Sequence, residues 1–524
     1  MHCNCVRQTE LPNTTPLFAD VLYHPDRTAA FYRYPVHDLA AFQNSAREAF
    51  LPDDRRAALV AALRLQNPES ESLEKLARPG TVAVVTGQQV GLFSGPAYTV
   101  YKLLHAVRLA DWLSRNGTAA VPVFWLATED HDFAEVNHAW VFNGEQRPVK
   151  LEMRRAASAQ PVGGVTLASP PVDELRAALE GMPFGDEVAN AVAETYHSGS
   201  TMGEAFGALL RRLLGRFDIL QVDPMLPAFR ELAAPAMRAA VEHAPELTER
   251  VLERNAALAA AGYHAQVHIE PHTSFFFLLE NGKRLTLRRS GSEYILNGRR
   301  FAAGELMDRA ASLSPNAVLR PVVQDSMLPT AAYIGGPAET AYLAQSAVIY
   351  DALIGRMPVA VPRAGFTIFD EHSHKIMQRY GLVLQDLFHG EDALRERIAA
   401  HLVPPELNQT MRETVSSVDG AVARLEREMA AFDPTLRKAL AKSARKIRYQ
   451  LAKLDAKAGR EAMRRNARAT AEAASLYHLI CPERHLQERL YSILPFVARY
   501  GWELIDHLYE AIQLDCPDHR LMVV

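Results

Sequence analysis

Four polar residues in a row, Glu129, Asp130, His131 and Asp132, follow an apolar run rich in β-branched residues in the stretch VPVFWLATEDHDFAEVNH. Carboxylates beside an imidazole can shift one another's pKa values toward neutrality, which suits them to acid–base catalysis. Metal binding is the alternative, but three acids and one histidine in a turn match no firm ligand spacing. We therefore predict catalytic roles for these four residues, a substrate contact from Asn137, and no metal site.

A short phrase occurs twice, as SGPAYTVY at 94–101 and as GGPAETAY at 335–342. Each copy lies between an apolar β-like run and a helical pattern. Glycine lets a ligand approach the backbone, and proline suits the first turn of a helix, whose free N–H groups attract anions. Alternatively, each copy is a tight turn that needs only these two residue types. Because there are two copies, we expect them to face one cleft with the acidic cluster between or beside them.

We predict that the following residues in and beside the two phrases bind substrate: Gln88, Gln89, Gly91, Ser94, Gly95, Pro96, Tyr98, Lys102, Tyr333, Gly335, Gly336, Pro337, Glu339 and Tyr342.

Three cationic residues are candidates for recognising a negatively charged substrate. Lys102 lies one helical turn after Tyr98, beside the first loop, although ordinary solvent exposure is the alternative. Arg320 and Arg363 flank the second phrase, and a guanidinium binds a carboxylate in a two-pronged fork. Arginines next to proline also serve as structural clamps. We include Gln324, close to Arg320, among the substrate-binding residues.

Alternating strand and helix patterns must position these residues. Short apolar runs such as TVAVVTG and VPVFWLA alternate with amphipathic segments, which predicts a Rossmann-like, doubly wound parallel α/β sheet with inserted connecting segments. In such a sheet, ligands bind beyond the carboxyl ends of the strands. The two Asn-Gly pairs between 263 and 302 are typical of antiparallel hairpins.

The predicted organisation has six parts. They are a first core part with the N-terminal segment (1–144), a mostly helical insertion (145–215), a core strand with helices (216–262), an antiparallel β-rich segment (263–305), the last core part (306–375) and an α-helical coiled coil (376–524).

Apolar residues in the last part recur every three, four or seven positions from Leu425 to Ala458, which is typical of a coiled coil. Pro434 should kink this helix or mark a helix start. The same stretch is rich in lysine and arginine. A solvated helical face explains this more simply than an anion contact or a dimer surface.

Composition limits the classes of function. The chain has 524 residues, 48% of them hydrophobic, and a net charge of −4, which is ordinary for a globular protein of two or three domains and gives no general attraction to nucleic acid. The four cysteines are too scattered for a disulfide framework, and we expect the tail with Cys3 and Cys5 to lack structure. Without an export signal or a long apolar run, we expect a cytoplasmic protein that does not enter a membrane.

The chain resembles the bacillithiol-biosynthesis cysteine-adding enzymes, the BshC family, over nearly its whole length. The strings that carry the resemblance occur in the family's order: VVTGQQVGLFSGPAYTVYKLLHAVRLA, VPVFWLATEDHDFAEVNH, SPNAVLRPVVQD, YIGGPAETAYLAQ, MPVAVPR and HLQERLYSILPFVARYG. The resemblance implies a ligase that joins cysteine to glucosaminyl-malate, the last step of bacillithiol synthesis. It also implies a Rossmann-type core and a homodimer formed through the coiled coil.

The core of this family is similar to class I aminoacyl-tRNA synthetases and pantothenate synthetase. The chain differs from those enzymes because GLFSGPAY replaces their His-x-Gly-His signature, and it has no Lys-Met-Ser-Lys-Ser loop.

Amide formation requires activation of the carboxylate, because its oxygen is a poor leaving group. We expect a nucleotide such as ATP, with Mg²⁺ as a further candidate, to activate the cysteine carboxyl group, while a residue of the acidic cluster takes the amine proton. The malate carboxylates would need Lys102, Arg320, Arg363 or a helix N-terminus. Another ATP-dependent carboxylate–amine ligase or a nucleotidyltransferase is the alternative, and a non-catalytic, nucleic-acid-binding coiled-coil protein is a second one.

Overall fold

The computed structural model describes residues 2–153 and 159–524. Its strands are β1 His2–Val6, β2 Val82–Gln89, β3 Ala120–Ala127, β4 His138–Phe142, β5 Pro148–Glu152, β6 Leu220–Val222, β7 Thr273–Glu280, β8 Lys283–Ser290, β9 Glu293–Leu296, β10 Arg299–Ala302, β11 Leu313–Pro315, β12 Thr330–Gly335, β13 Val359–Pro362, β14 Phe366–Phe369 and β15 His519–Val523.

The helices of the first two thirds of the chain are α1 Pro16–Tyr23, α2 Pro25–Thr28, α3 Leu39–Glu48, α4 Asp53–Arg64, α5 Glu71–Leu76, α6 Tyr98–Arg115, α7 Phe133–Val136, α8 Val172–Ala178, α9 Gly185–Thr195, α10 Met202–Leu214, α11 Pro227–Glu242, α12 Ala244–Ala260, α13 Ala303–Asp308, α14 Arg320–Met327 and α15 Pro337–Leu353. Those of the last third are α16 Glu371–Arg379, α17 Leu384–Leu387, α18 Glu391–Leu402, α19 Pro405–Phe432, α20 Leu436–Arg465, α21 Ala467–Ile480, α22 Gln487–Leu490, α23 Leu494–Tyr500 and α24 Leu504–Ala511.

A five-stranded parallel sheet in the order β13-β12-β2-β3-β6 forms the centre of the molecule. The chain runs outward from β2 through β3 to β6, and then returns to the other side of β2 as β12 and β13. The strand order therefore reverses between β2 and β12, where a doubly wound sheet opens a crevice at its carboxyl edge. The predicted fold class is confirmed.

Helices cover both faces of this sheet because successive strand residues point to opposite sides. In β2, Val84 packs into the same apolar core as Leu104 of α6, whereas Val85 packs into a second core with Ala344 of α15. The helices that follow β2 and β12 thus lie on opposite faces, and both begin at the carboxyl edge.

The predicted hairpins are confirmed in the antiparallel sheet β10-β9-β8-β7-β11. Asn281 and Gly282 turn the chain from β7 to β8 with φ of 54° and 70°, values that favour asparagine and glycine. Helices α8, α9 and α10 lie within the predicted insertion 145–215, of which residues 154–158 lie outside the described part of the chain.

The N-terminal tail is structured, contrary to our expectation. Strand β1 pairs antiparallel with β15, near the end of the chain, and β15 pairs parallel with β14. A segment more than 500 residues away, β15, therefore orders the tail, which local sequence patterns cannot show. Strand β14, which our boundaries place in the last core part, belongs to this three-stranded sheet.

Helices α19 and α20 form an antiparallel hairpin. Pro434 lies in the loop between them, so it precedes a helix start, which is one of the two predicted outcomes. Ion pairs Arg437–Glu426 (3.3 Å) and Arg448–Asp419 (2.8 Å) link the two helices. The single apolar seam that we expected is thus divided between two helices. Within the described residues, no helix is both long enough and apolar enough to cross a bilayer.

Candidate functional site

A cleft of about 860 Å³ opens at the carboxyl edge of β2, β3 and β12, where the strand order reverses. The predicted site residues that line it are Gln88, Gln89, Tyr98, Lys102, Glu129, Asp130, His131, Asp132, Arg320, Tyr333, Gly336, Pro337, Glu339, Tyr342 and Arg363.

The second phrase forms one wall of the cleft. Pro337 opens helix α15, and Glu339 reaches back so that its Oε2 accepts a hydrogen bond from the Gly336 N–H at 2.7 Å. The carboxylate of Glu339 therefore occupies the anion-attracting end of this helix. A Cβ on Gly335 would lie 3.0 Å from the Glu339 Cβ, so the small residue gives this side chain room to turn back.

Lys102 is buried beside Glu339 and is not exposed to solvent. Its ammonium group pairs with Glu339 and donates to the Gly87 carbonyl at 3.0 Å and to Gln88 Oε1 at 2.9 Å. Burial lowers the pKa of Lys102, and Glu339 opposes this shift. Burial would raise the pKa of Glu339, but the charge of Lys102 and the hydrogen bonds from Lys102, Gly336 and Tyr333 together lower it. Lys102 is thus saturated by groups of the protein.

The hydrogen bonds of the Arg320 side chain to the described residues go to neutral groups. Its guanidinium donates to the hydroxyls of Tyr333 at 3.1 Å and Tyr342 at 2.9 Å, and to Gln324 Oε1 at 3.1 Å. Tyr333 in turn donates to Glu339 at 2.8 Å. Burial is the main cause that raises the pKa of the Tyr333 hydroxyl well above its usual value.

Arg363 is a structural clamp, the second of the roles we considered for it. Both of its terminal nitrogens bind the Glu488 carboxylate, at 2.5 and 3.0 Å, and both side chains are buried. Burial would raise the pKa of Glu488, but Arg363, with smaller effects of His519 and the Phe366 N–H, more than offsets it, so this pKa is lowered. Glu488 also accepts from the Phe366 N–H at 2.9 Å, which ties α22 to β14.

Glu129 lies deepest in the acidic cluster and is 3% exposed. Its Oε2 accepts from Arg230 at 3.1 Å and from the Ser314 hydroxyl at 2.8 Å. Its Oε1 is buried and has no hydrogen-bond partner within the described residues. One buried ion pair thus fixes this carboxylate at the end of β3.

Asp130 and His131 face the antiparallel sheet across the cleft. Arg284 of β8 lies over the Phe277 ring, with Nη1 3.2 Å from His131 Nδ1 and 3.6 Å from Asp130 Oδ1. A guanidinium can only donate, so Nδ1 of His131 accepts, and the proton of the neutral ring is on Nε2. Gln89 donates to Asp130 Oδ2 at 2.7 Å, which fixes the carboxylate from the other side.

Asp132 and Glu135 lie at the rim of the cleft. Asp132 caps the short helix α7 by accepting from the Glu135 N–H at 3.3 Å. Gln89 donates to Glu135 at 2.8 Å. The end of β2 is thus bonded to this acidic loop.

The Gly-Pro turn of the first phrase does not line the cleft, although Tyr98 does, and our expectation that both loops face it is wrong for Gly95 and Pro96. The Ala97 N–H donates to the Tyr491 carbonyl at 2.7 Å, and the Ser94 and Ser492 hydroxyls lie 3.2 Å apart. This helix start is therefore occupied by the segment after α22. Gly91 lies close beneath it, where a Cβ would lie 3.1 Å from the Gly95 Cα.

Three other predicted residues lie behind the cleft lining. Asn137 donates to the Met153 carbonyl at 3.2 Å, Gln324 is fully buried behind Arg320, and the Gly335 carbonyl accepts from the Arg363 N–H at 2.8 Å. In the structure these residues support their neighbours.

Sequence reasoning missed several lining residues, notably Trp125, Phe277, Arg284, Asn316 and Arg489. In the sequence, Arg284 is one more cation in a predicted hairpin. Only the fold places the start of β8 beside the cleft at the carboxyl edge of the parallel sheet. Arg489 lies in the string HLQERLYS, whose resemblance to the family was the available signal.

No group of three or more His, Cys, Asp and Glu side chains in the described ranges is placed to hold a metal ion.

Comparisons with known proteins cover the whole chain. The family described as "Bacillithiol biosynthesis BshC, N-terminal Rossmann-like domain" matches residues 1–364, and its "C-terminal coiled-coil domain" matches residues 366–523. A relative from Solibacter usitatus, named "Putative cysteine ligase BshC", is 67% identical over the full length of both chains. Relatives with the same name from Koribacter versatilis and Salinibacter ruber are 35% and 30% identical, over 99% and 97% of this chain and 99% and 96% of their own. The chain therefore belongs to the BshC family of bacillithiol biosynthesis.

Proposed function

We propose that this protein joins L-cysteine to glucosaminyl-malate by forming an amide bond. The observation that carries the proposal is the position of Asp130 and His131, side by side in a large polar cleft at the switch point of the sheet. The names of the relatives support the cysteine ligase activity, and the family supports the pathway.

The reaction needs an activated cysteine carboxyl group. The lone pair of the glucosamine amine attacks the acyl carbon, a C–N bond forms, and the bond to the activating group breaks with its electron pair. The nitrogen then carries one proton too many, which a base must accept. A donor near the acyl oxygen stabilises the negative charge that develops there.

Asp130 and His131 divide these two roles. The Asp130 side chain is 31% exposed, and among the described residues Gln89 alone donates to Oδ2, so a lone pair stays free for the amine proton. His131 presents Nε2–H, since Arg284 occupies Nδ1. His131 is therefore a hydrogen-bond donor to the acyl oxygen or the leaving group, and Asp130 is the base.

Glu129 and Asp132 take supporting roles in this proposal. Glu129 is held by Arg230 and Ser314, and Asp132 caps α7. Both shape the loop that presents Asp130.

Activation of the carboxyl group calls for a cosubstrate such as ATP. The cleft volume of about 860 Å³ suits a nucleotide or the two organic substrates, and guanidinium groups line it.

The test is a product assay. Purified protein is incubated with glucosaminyl-malate and cysteine, with and without ATP. The products are then separated and their masses are measured by mass spectrometry. We expect a product with the mass of both substrates less one water, formed only with a nucleotide. Failure to form it under any nucleotide, when other amines are joined to cysteine, would favour a different carboxylate–amine ligase.

A further inference from the structure

Five cationic side chains line the cleft: Lys102, Arg284, Arg320, Arg363 and Arg489. A cation that is already paired with a carboxylate of the protein has little charge to offer a substrate, because a new anion must displace the first. The pairing of each cation therefore indicates which of them can bind an anionic ligand.

Three of the five are committed to partners within the protein. Lys102 pairs with Glu339, and Arg363 is bound through both terminal nitrogens by Glu488. Arg284 donates to the Ser314 hydroxyl at 2.9 Å and the Pro315 carbonyl at 2.8 Å, and it faces Asp130. Two of the three substrate cations predicted from sequence, Lys102 and Arg363, thus hold the fold together.

Within the described residues, the other two cations form no ion pair with a carboxylate. Arg320 contacts two tyrosine hydroxyls and one amide. Arg489 is exposed, and its side chain makes no hydrogen bond or ion pair with any residue in the described ranges.

The backbone that carries Arg489 is firmly held. Gln487 is fully buried and binds both the N–H and the carbonyl of Ile368, at 2.7 and 2.8 Å. Glu488 is the partner of Arg363, and the Tyr491 carbonyl caps helix α6. Arg489 therefore projects into the cleft from a fixed segment between β14 and α6.

Tyr98 connects Arg489 to the rest of the cleft. Burial raises the pKa of the Tyr98 hydroxyl, and among the charged groups Arg489 opposes this shift most strongly, followed by Arg363. Arg489 thus lies close enough to the cleft wall to act on its polar groups.

We propose that Arg489, delivered by the C-terminal domain, binds the anionic end of the substrate together with Arg320. The inference rests on the proposed function and names the malate carboxylates of glucosaminyl-malate as the anion. Two guanidinium groups suit a dicarboxylate, since each can donate to one carboxylate. Both parts of the chain would then contribute to one binding site.

The test measures binding by calorimetry, with glucosaminyl-malate, free L-malate and ATP as separate probes. We expect Arg489→Gln to raise the Kd for both malate-bearing probes by about tenfold to a hundredfold, the value of a charged hydrogen bond. Arg489→Lys keeps the positive charge but loses the two-pronged guanidinium contact. Its Kd should therefore lie between the values of the wild type and of Arg489→Gln. ATP binding should not change.

Arg484→Gln is the matched control. Arg484 lies in the same segment, is exposed and lies outside the cleft lining, so its removal subtracts the same charge without the proposed contact. We expect wild-type affinity for all probes. Unfolding midpoints of the variants should match the wild type, since the Arg489 side chain has no hydrogen-bond or ion-pair partner to lose among the described residues.

The outcomes separate this inference from the proposed function. If the wild type makes the thiol product but Arg489→Gln binds glucosaminyl-malate normally, the inference is wrong and the function stands. If malate binding depends on Arg489 but no product forms with any nucleotide, the function is wrong and the subsite stands. The proposed malate subsite is also wrong if Arg489→Gln loses only ATP binding, or if the wild type binds neither malate-bearing probe.

Discussion

The free lone pairs and protons of each side chain decide what the acidic cluster can do. Glu129, Asp130, His131 and Asp132 are predictable as a group, because all follow the same strand. Their separate roles depend on partners from distant segments, above all Arg284, which fixes the proton of His131 on Nε2. Sequence patterns show residue type and strand position, whereas hydrogen bonds between remote segments come only from the fold.

Replacing Asp130 by Asn tests the role of the base. The amide keeps the shape and one acceptor but cannot take a proton, so we expect kcat to fall about a hundredfold to ten-thousandfold. Steady-state assays of cysteine addition measure this. Asp173→Asn, at an exposed position of helix α8, is the control and should keep wild-type kcat. A wild-type rate in Asp130→Asn would show that another group takes the proton.

The two phrases show that one local pattern can have two different environments. Both begin a helix after a parallel strand, as predicted, but residues 491 and 492 cover the first helix start, whereas the second lines the cleft.

Two buried histidines contact the segment from Ala364 to Thr367. His105 of α6 accepts from the Ala364 N–H at 3.0 Å, and His519 of β15 lies 2.8 Å from the Thr367 hydroxyl.

These histidines should make stability depend on pH. Burial lowers the pKa of His105 to about 3, with Arg520, His37 and Arg363 adding to the shift. Burial lowers that of His519 to about 4, although Glu488 opposes the shift. Below the unfolded-state pKa of about 6.5, the unfolded chain binds protons that the folded chain does not. The free energy of unfolding should therefore fall as pH falls from about 6.5, by about 1.4 kcal/mol per pH unit for each histidine.

Urea unfolding between about pH 7 and pH 5 measures this slope. His105→Gln should reduce this slope by the contribution of about one bound proton. Replacing the exposed His264 by Gln should leave the slope unchanged. An equal slope in His105→Gln would mean that His105 does not resist protonation in the folded protein.

At the scale of the whole molecule, the hairpin α19–α20 exposes apolar side chains, although α20 also packs against α18. Helix α19 buries none of its 28 residues, and Phe432 and Leu454 are 86% and 57% exposed. Other large apolar side chains of the hairpin are exposed as well, namely Leu407, Val415, Leu425, Ile447 and Tyr449. A long apolar surface of this kind calls for a protein contact. The seam was predictable because its periodicity is local, whereas the division at Pro434 required the fold.

We propose that a second copy of the chain covers this hairpin. Leu425→Glu and Leu454→Glu each place a charge in the proposed contact, so sedimentation velocity should show a dimer for the wild type and a shift to monomer in both variants. Gln450→Glu adds the same charge at an exposed polar position and should stay dimeric. A monomeric wild type at micromolar concentration would contradict the homodimer.

A structure determined with glucosaminyl-malate bound tests the central claim most directly. We predict that the ligand lies in the cleft at the carboxyl edge of β2, β3 and β12, with its amine within hydrogen-bond reach of Asp130 and its malate carboxylates at Arg320 and Arg489. A ligand bound away from this cleft, with Asp130 and Gly336–Pro337 untouched, would contradict the proposed site.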